Sequence, residues 1–346
     1  MSSRLGFTAY YSRNVIKWFA IGVVVYLIGY IAYVILKPYL EREPPPPPIQ
    51  VRFEIISTIE FPPPDPGIDF SYKLETITGG LPPLISDRGV VFRNEQRKAG
   101  FFSFDQQAAK AKSLGFNGPQ IPVSPPIYQW RRVTDLPGLL EINVATGELD
   151  LVSNWRDNNN LFLSTTRING ADAFRRVQSS FSGGKLWNDD LKNGDHSLVF
   201  FKVFKDQLLE VPAVGEADMI QVNFRRAAVK GLPVVYADPR RPPVWGLVTR
   251  VGTVLELHYR YWSLGTSESE YPLRPLEDVW NDLISGRAHI AKIGDNVPGS
   301  EVVVRDFSLA YYISNDWQPF TEPVYVIRGN KDFVAYVQAI DRSVSK

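Results

Sequence analysis

Imidazoles, carboxylates and aromatic faces are the groups here with the most chemical potential, and their spacing organises few of them. His196, His258 and His289 lie far apart in sequence, and none falls in an H-E-x-x-H or H-x-H spacing. Each reads as a surface or hydrogen-bonded side chain rather than a ligand or base. G-x-S-x-G, Walker A and G-x-G-x-x-G are all missing from the sequence. Asp189-Asp190-Leu191-Lys192-Asn193-Gly194-Asp195 comes nearest to a calcium loop, but its third position is Leu191 and its twelfth is Phe200, where oxygen ligands belong. A solvated turn is the expectation there. Glu277/Asp278 and Asp316/Glu322 are carboxylate pairs whose separation no sequence fixes. Tyr311-Tyr312 and the set Tyr259, Tyr261 and Trp262 would serve as a sugar or peptide platform, or as core, and core is the expected role. With no cysteine, disulfides, thiolate zinc sites and thiol catalysis are excluded. No catalytic, cofactor or metal residue is assigned, and no small-molecule cofactor is expected.

The element that most constrains function is a run of 19 uncharged residues at 18–36, WFAIGVVVYLIGYIAYVIL. As a helix it would be about 28 Å long, close to the thickness of a hydrocarbon core. It is longer than a signal-peptide core and lacks an A-x-A cleavage pattern, so it reads as an uncleaved transmembrane signal anchor. Arg4, Arg13 and Lys17 precede it, whereas Lys37 and Arg42 follow it among Glu41 and Glu43. The positive-inside bias then keeps residues 1–17 in the cytoplasm and exports the remainder. Gly22, Tyr26, Gly29 and Tyr33 fall at i, i+4, i+7 and i+11, on one helical face. That face would dock a membrane partner or a second copy, although Gly and Tyr are also common in such helices.

Beyond residue 43 there remain 33 basic and 35 acidic residues, which leaves no electrostatic footprint for nucleic acid. The chain has no N-x-[ST] acceptor. Together with the missing cysteine this suits a bacterial cell surface. An apolar share of 44% predicts a packed fold, and 27 prolines and 25 glycines predict many turns and short strands.

Five prolines at 44–48 and a second break, FPPPDPG, at 61–67 predict a semi-rigid stalk over 37–67. Three α+β units are expected after it, at 68–155, 156–265 and 266–346. Each is read as one helix followed by an antiparallel meander. The helices are expected at 103–112, with Ser103 as its cap, at 170–181, and at 275–285. Strands are expected at 90–93, 127–133, 139–144, 148–152, 161–168, 197–204 and 219–228. A hairpin is expected over 243–262, with Leu255, Leu257, Tyr259 and Tyr261 on one face. Further strands are expected at 302–304, 307–313, 324–327 and 333–340.

In the last unit, Pro275-Leu276-Glu277-Asp278-Val279-Trp280 leads to Leu283-Ile284-Ser285-Gly286. Phe307-Ser308-Leu309-Ala310-Tyr311-Tyr312 follows, then Glu322-Pro323-Val324-Tyr325-Val326-Ile327 and Phe333-Val334-Ala335-Tyr336-Val337-Gln338-Ala339-Ile340. This order resembles PepSY-like domains and is similar to the membrane-anchored YycH/YycI-type regulators of bacterial sensor kinases. Asn223-Phe224-Arg225 and Gly231-Leu232-Pro233-Val234 suit the same layout. The likeness covers about 120 residues and its motifs are structural. It implies helices on antiparallel sheets, one N-terminal anchor and no enzymatic activity. In that family the anchor helix can contact a kinase. The expectation is a single-pass, extracytoplasmic α+β protein that acts by binding or regulation. A carboxylate hydrolase and a structural subunit of a surface or secretion assembly are the alternatives.

Overall fold

The structure is a computed structural model that describes residues 4–40, 49, 51–53, 56–63, 67, 69–83, 86–95, 98, 100–163, 166–341 and 343. The proline run at 44–48, together with Glu41, Arg42 and Glu43, lies outside the described residues. The chain divides into two compact units, Met1–Pro48 and Ile49–Lys346.

The first unit holds one helix, α1 (Arg4–Leu40). Its Arg13–Lys37 stretch is long and apolar enough to cross a membrane, with a mean hydropathy of 2.5 and no residue buried by the protein. It is apolar all round, so no stripe faces a core.

The second unit runs β1 (Ser71–Leu74), β2 (Arg88–Asn94), α2 (Ser103–Ser113), β3 (Gln120–Ser124), β4 (Ile127–Arg132), β5 (Gly138–Asn143) and β6 (Leu149–Ser153). Next come α3 (Gly170–Gly183), α4 (Asp189–Lys192), β7 (His196–Phe204), β8 (Gln207–Val211), β9 (Met219–Phe224), β10 (Val234–Tyr236), β11 (Val244–Thr249) and β12 (Val254–Tyr259). The chain ends with β13 (Leu264–Pro272), α5 (Leu276–Ile284), β14 (His289–Lys292), β15 (Glu301–Ile313), β16 (Phe320–Thr321), β17 (Pro323–Gly329) and β18 (Val334–Gln338).

Among the described residues these strands form three sheets. The nine-stranded sheet is antiparallel throughout, in the order β3-β4-β5-β6-β12-β11-β9-β7-β8. The six-stranded sheet runs β1-β15-β17-β18-β14, and β10 also joins β15. Its β1 and β10 lie parallel to β15 and its other pairs are antiparallel. The third sheet is β13-β2-β16. The fold is therefore α+β, with mostly antiparallel sheets. The sheets cross the boundaries at 155 and 265: the first two expected units share the nine-stranded sheet, and β1 and β10 join strands of the third.

Helix periodicity decides which faces are covered. In α3, Ala173, Val177 and Phe181 recur at i, i+4 and i+8 and are buried against β9, β11 and β12. Asn169 caps that helix by accepting from Asp172 N at 2.8 Å. Gly246 of β11 lets α3 approach, because a Cβ there would collide with Val177. Ala111 of α2 and Phe116 beyond it join the same core. In α5, Leu276, Val279 and Leu283 pack on the six-stranded sheet beside Tyr325, Ile327 and Val337.

Four local expectations are corrected. The described residues of 161–168 hold no strand, for Asn159–Phe162 forms a 3-10 turn that brings Leu161 and Phe162 against Trp155. Phe102 rather than Ser103 occupies the cap of α2, and the Ser103 hydroxyl instead accepts from Gly100 N at 2.7 Å. A bulge in the β11–β12 pairing turns Leu255 away from Leu257, Tyr259 and Tyr261, and Val254 takes its place in their core. The segment assigned to the stalk is partly packed: residues 52–53, 56, 59 and 61 are tied to the body. Arg52 N donates to Ser269 Oγ at 2.7 Å, Tyr271 Oη donates to the Phe53 carbonyl at 2.7 Å, and Ile56 and Ile59 are buried.

Candidate functional site

A cleft of about 770 Å³ opens between the two large sheets, within the range of ligand sites. One wall is β14 with the Ile293-Gly294-Asp295 turn after it, and the floor is Val199 and Phe201 of β7 with Gln221 of β9. These floor residues lie on the face of the nine-stranded sheet opposite α3. The loop 237–241 closes one side, and Pro62 and Pro63 sit at the mouth.

β14 is a terminal strand: it pairs with β18, and among the described residues no strand pairs with its other edge. Gly329 N bonds Phe333 O and Ala339 N bonds Pro323 O, so the odd-numbered residues of β18 spend their backbone groups on β17. Tyr336 therefore turns its groups toward its partner His289, and the N–H and C=O of Ile290 point to the open edge. A bulge at 290–292 and Gly294 end the strand. Gly294 has φ +59, and a Cβ there would collide with the Lys331 carbonyl.

The walls are held in place. His289 Nε2 donates to the Ala237 carbonyl at 3.0 Å, and its ring stacks on Phe61 with centroids 5.3 Å apart. Asn223 Nδ2 donates to the Arg240 carbonyl at 3.0 Å, and Arg225 donates to the Pro239 carbonyl at 2.8 Å. Gln221 Nε2 donates to Asn223 Oδ1 at 2.7 Å, which fixes the floor. The rim is balanced, with Glu210, Asp238 and Asp295 against Arg240, Arg241 and Lys292. Glu210 pairs with Arg240 at 2.7 Å.

The residues singled out in the sequence are scattered. Gly22, Tyr26, Gly29 and Tyr33 lie on α1, where a Cβ at either glycine meets nothing within 4 Å and both tyrosines are exposed. Tyr259, Tyr261, Trp262, Tyr311 and Tyr312 are core. His196 packs on Phe174. His258 Nδ1 meets Asp150 Oδ1 at 2.5 Å, and Arg260 takes the other carboxylate oxygen at 2.5 Å. Burial opposes ionisation of Asp150, but the His258 bond and the Arg260 charge outweigh it and hold the carboxyl below its ordinary range. An Asp–His pair can orient a base. With Arg260 on the second oxygen, this one is a cross-strand ion cluster.

Glu277 and Asp278 are exposed in the first turn of α5, where the helix dipole favours them. Asp316 and Glu322 are unalike: Asp316 is exposed, whereas Glu322 is 3% exposed and its Oε2 accepts only from Gln338 Nε2, at 3.1 Å. Burial pushes the Glu322 carboxyl up to about 8. Asp190, expected in a solvated turn, sits in α4 and binds Arg226 at 2.5 Å and Tyr261 Oη at 2.8 Å. Among the described residues no three His, Asp or Glu side chains gather as a metal site. The cleft itself was missed in the sequence because its walls come from residues 62–63, 199–241 and 289–295, and no local pattern links them.

No family model matches the chain, and no curated protein matches it. Among solved structures it is similar to the 1.45 Å crystal structure of an uncharacterized protein from Eubacterium rectale ATCC 33656. Identity is 13%, the match covers 73% of this chain and 82% of that one, and the TM-score is 0.34. At that TM-score the two need not share a fold.

Proposed function

We propose that this is a single-pass membrane protein whose N-terminus is cytoplasmic and whose folded body lies outside the membrane, where it works by binding an extended segment of a protein partner. The open edge of β14 inside a pre-formed cleft carries this reading. An extended chain added to such an edge gains main-chain hydrogen bonds, and pockets on the flanking walls choose its side chains. The pinned loop 237–241 lowers the ordering cost of binding. The balanced rim suits a polypeptide of mixed charge better than a polyanion. Under this reading the protein regulates or presents a partner at a bacterial envelope, as the PepSY-like and YycH/YycI-like resemblance implies. The Gly22, Tyr26, Gly29 and Tyr33 face is then a second contact, for a membrane helix.

The test uses full-length protein in cells, carrying a photocrosslinking side chain at Lys292, at Tyr26 or at Lys205. Lys292 should capture one discrete protein, and adding Ile290→Pro, which removes the outward N–H, should cut that yield at least tenfold. A yield at Lys292 no higher than at Lys205, or one indifferent to Ile290→Pro, would sink the cleft reading.

A further inference from the structure

Outside α1, most large apolar side chains at the surface stand singly, which is ordinary. Phe101 and Phe102 do not: they are adjacent, 93% and 62% exposed, and their rings form an edge-to-face pair 5.0 Å apart. Their backbone is not slack. Gly100 N donates to Ser103 Oγ at 2.7 Å and Ser103 N donates to the Gly100 carbonyl at 3.1 Å, which closes the turn at the start of α2. The next aromatic, Phe104, turns inward against Tyr128 at 5.0 Å and Trp130 at 6.4 Å. The run F-F-S-F thus sends two rings out and one in. The exposed Phe204 is different, since Lys205 Nζ lies over its ring at 5.4 Å.

We propose that the Phe101–Phe102 pair inserts into the interfacial layer of the bilayer that holds α1, so that the body touches the membrane at a second point. This rests on the membrane-anchored reading above. The pair is convex and borne on a turn, a shape that enters a lipid interface and offers no groove to a partner chain. Apolar side chains gain free energy at the boundary between headgroups and acyl chains. Two rings alone bind weakly, but covalent attachment to α1 sets a high effective concentration and makes a weak contact sufficient. Exposed Lys98 stands three residues before the pair and exposed Asp105 three residues after it. With both signs flanking the rings, neutral lipid should suffice.

The chain contains no cysteine, so one introduced thiol can be labelled uniquely. Full-length protein is reconstituted in phosphatidylcholine vesicles with an environment-sensitive fluorophore at Lys98→Cys, Val25→Cys or Lys205→Cys, and acyl-chain spin-labelled lipid is the quencher. Val25 should quench strongly, and Lys98 at least threefold more than Lys205. Adding Phe101→Ser and Phe102→Ser should return Lys98 to the Lys205 level. If Val25 quenches but Lys98 matches Lys205, the second contact is refuted and the anchor stands. If Val25 fails to quench, the anchor reading itself falls. A Lys98 label shielded from water yet untouched by lipid quencher, or quenched equally after both substitutions, also overturns the proposal.

Discussion

The two large sheets solve burial in different ways. The nine-stranded sheet is covered by α2 and α3 on one face, and along β6 and β12 buried and half-exposed residues alternate. Its other face is divided: one part buries Met219, Leu247 and Leu255 with Trp155, and another keeps a polar row, Gln129, Glu141, Asp150 and His258, that needs only partial pairing because water reaches it. The six-stranded sheet is covered on both faces, by α5 on one and by Ile59 and Phe61 on the other. Residues 323–327 of β17 are all buried. Polar groups packed against this sheet must be satisfied internally or are driven toward neutrality: Arg274 bonds Asp282 of α5 at 2.7 Å with both buried, and burial pushes the Glu322 carboxyl up to about 8. A water-facing stretch of sheet permits polar variety, whereas a fully covered one makes each polar group a commitment.

Substitutions can break that contrast, beginning with the largest effect. Arg274→Ala removes one of the two guanidinium partners of buried Asp282 on α5, leaving Arg287 on its Oδ1, and should cost about 3 kcal/mol in urea unfolding. Glu322→Gln should do the opposite. A carboxyl with an unfolded pKa of 4.5 and a folded one of about 8 gives its full stability below pH 4.5 and loses it as pH rises toward 8. The neutral amide should therefore add on the order of 3 kcal/mol at pH 7 and flatten the profile between pH 5 and 8. Gly246→Ala, under α3, should lose about 2 kcal/mol through crowding against Val177. His258→Ala, on the water-facing side, should change stability by less than about 1 kcal/mol. A loss at His258 as large as that at Arg274 would erase the distinction between the faces.

The sequence carried the elements better than their assembly. The 3.6-residue recurrence in α3 and α5 is a local signal, and the structure places both helices as expected. Local patterns failed where a neighbour decides. The bulge before Glu256 flips Leu255 out of an apparently regular alternation, and Leu161 and Phe162 pack on Trp155 from a 3-10 turn. β1 and β10 are too short to announce that they join β15 from 230 and 77 residues away, in the registers Tyr72↔Val302 and Val234↔Tyr311. Glu322 looked like half of a carboxylate pair because nothing in the sequence states its burial. The cleft was illegible for the same reason: its edge strand, floor and loop meet only after the sheets have formed.

The packing of residues 52–63 has a mechanical consequence. Chain arriving from the N-terminal side does not enter the body at a loose end. It is stitched down at Arg52, Phe53, Ile56 and Ile59, and it finishes with Phe61 stacked on His289 and Pro62 at the cleft mouth. A pull from the N-terminal side is therefore met first by the bonds of Arg52 and Phe53 to β13, and reaches Phe61 and Pro62 only after those part. Those bonds shield the cleft mouth, so moderate load on the chain before residue 52 leaves the shape of the cleft unchanged.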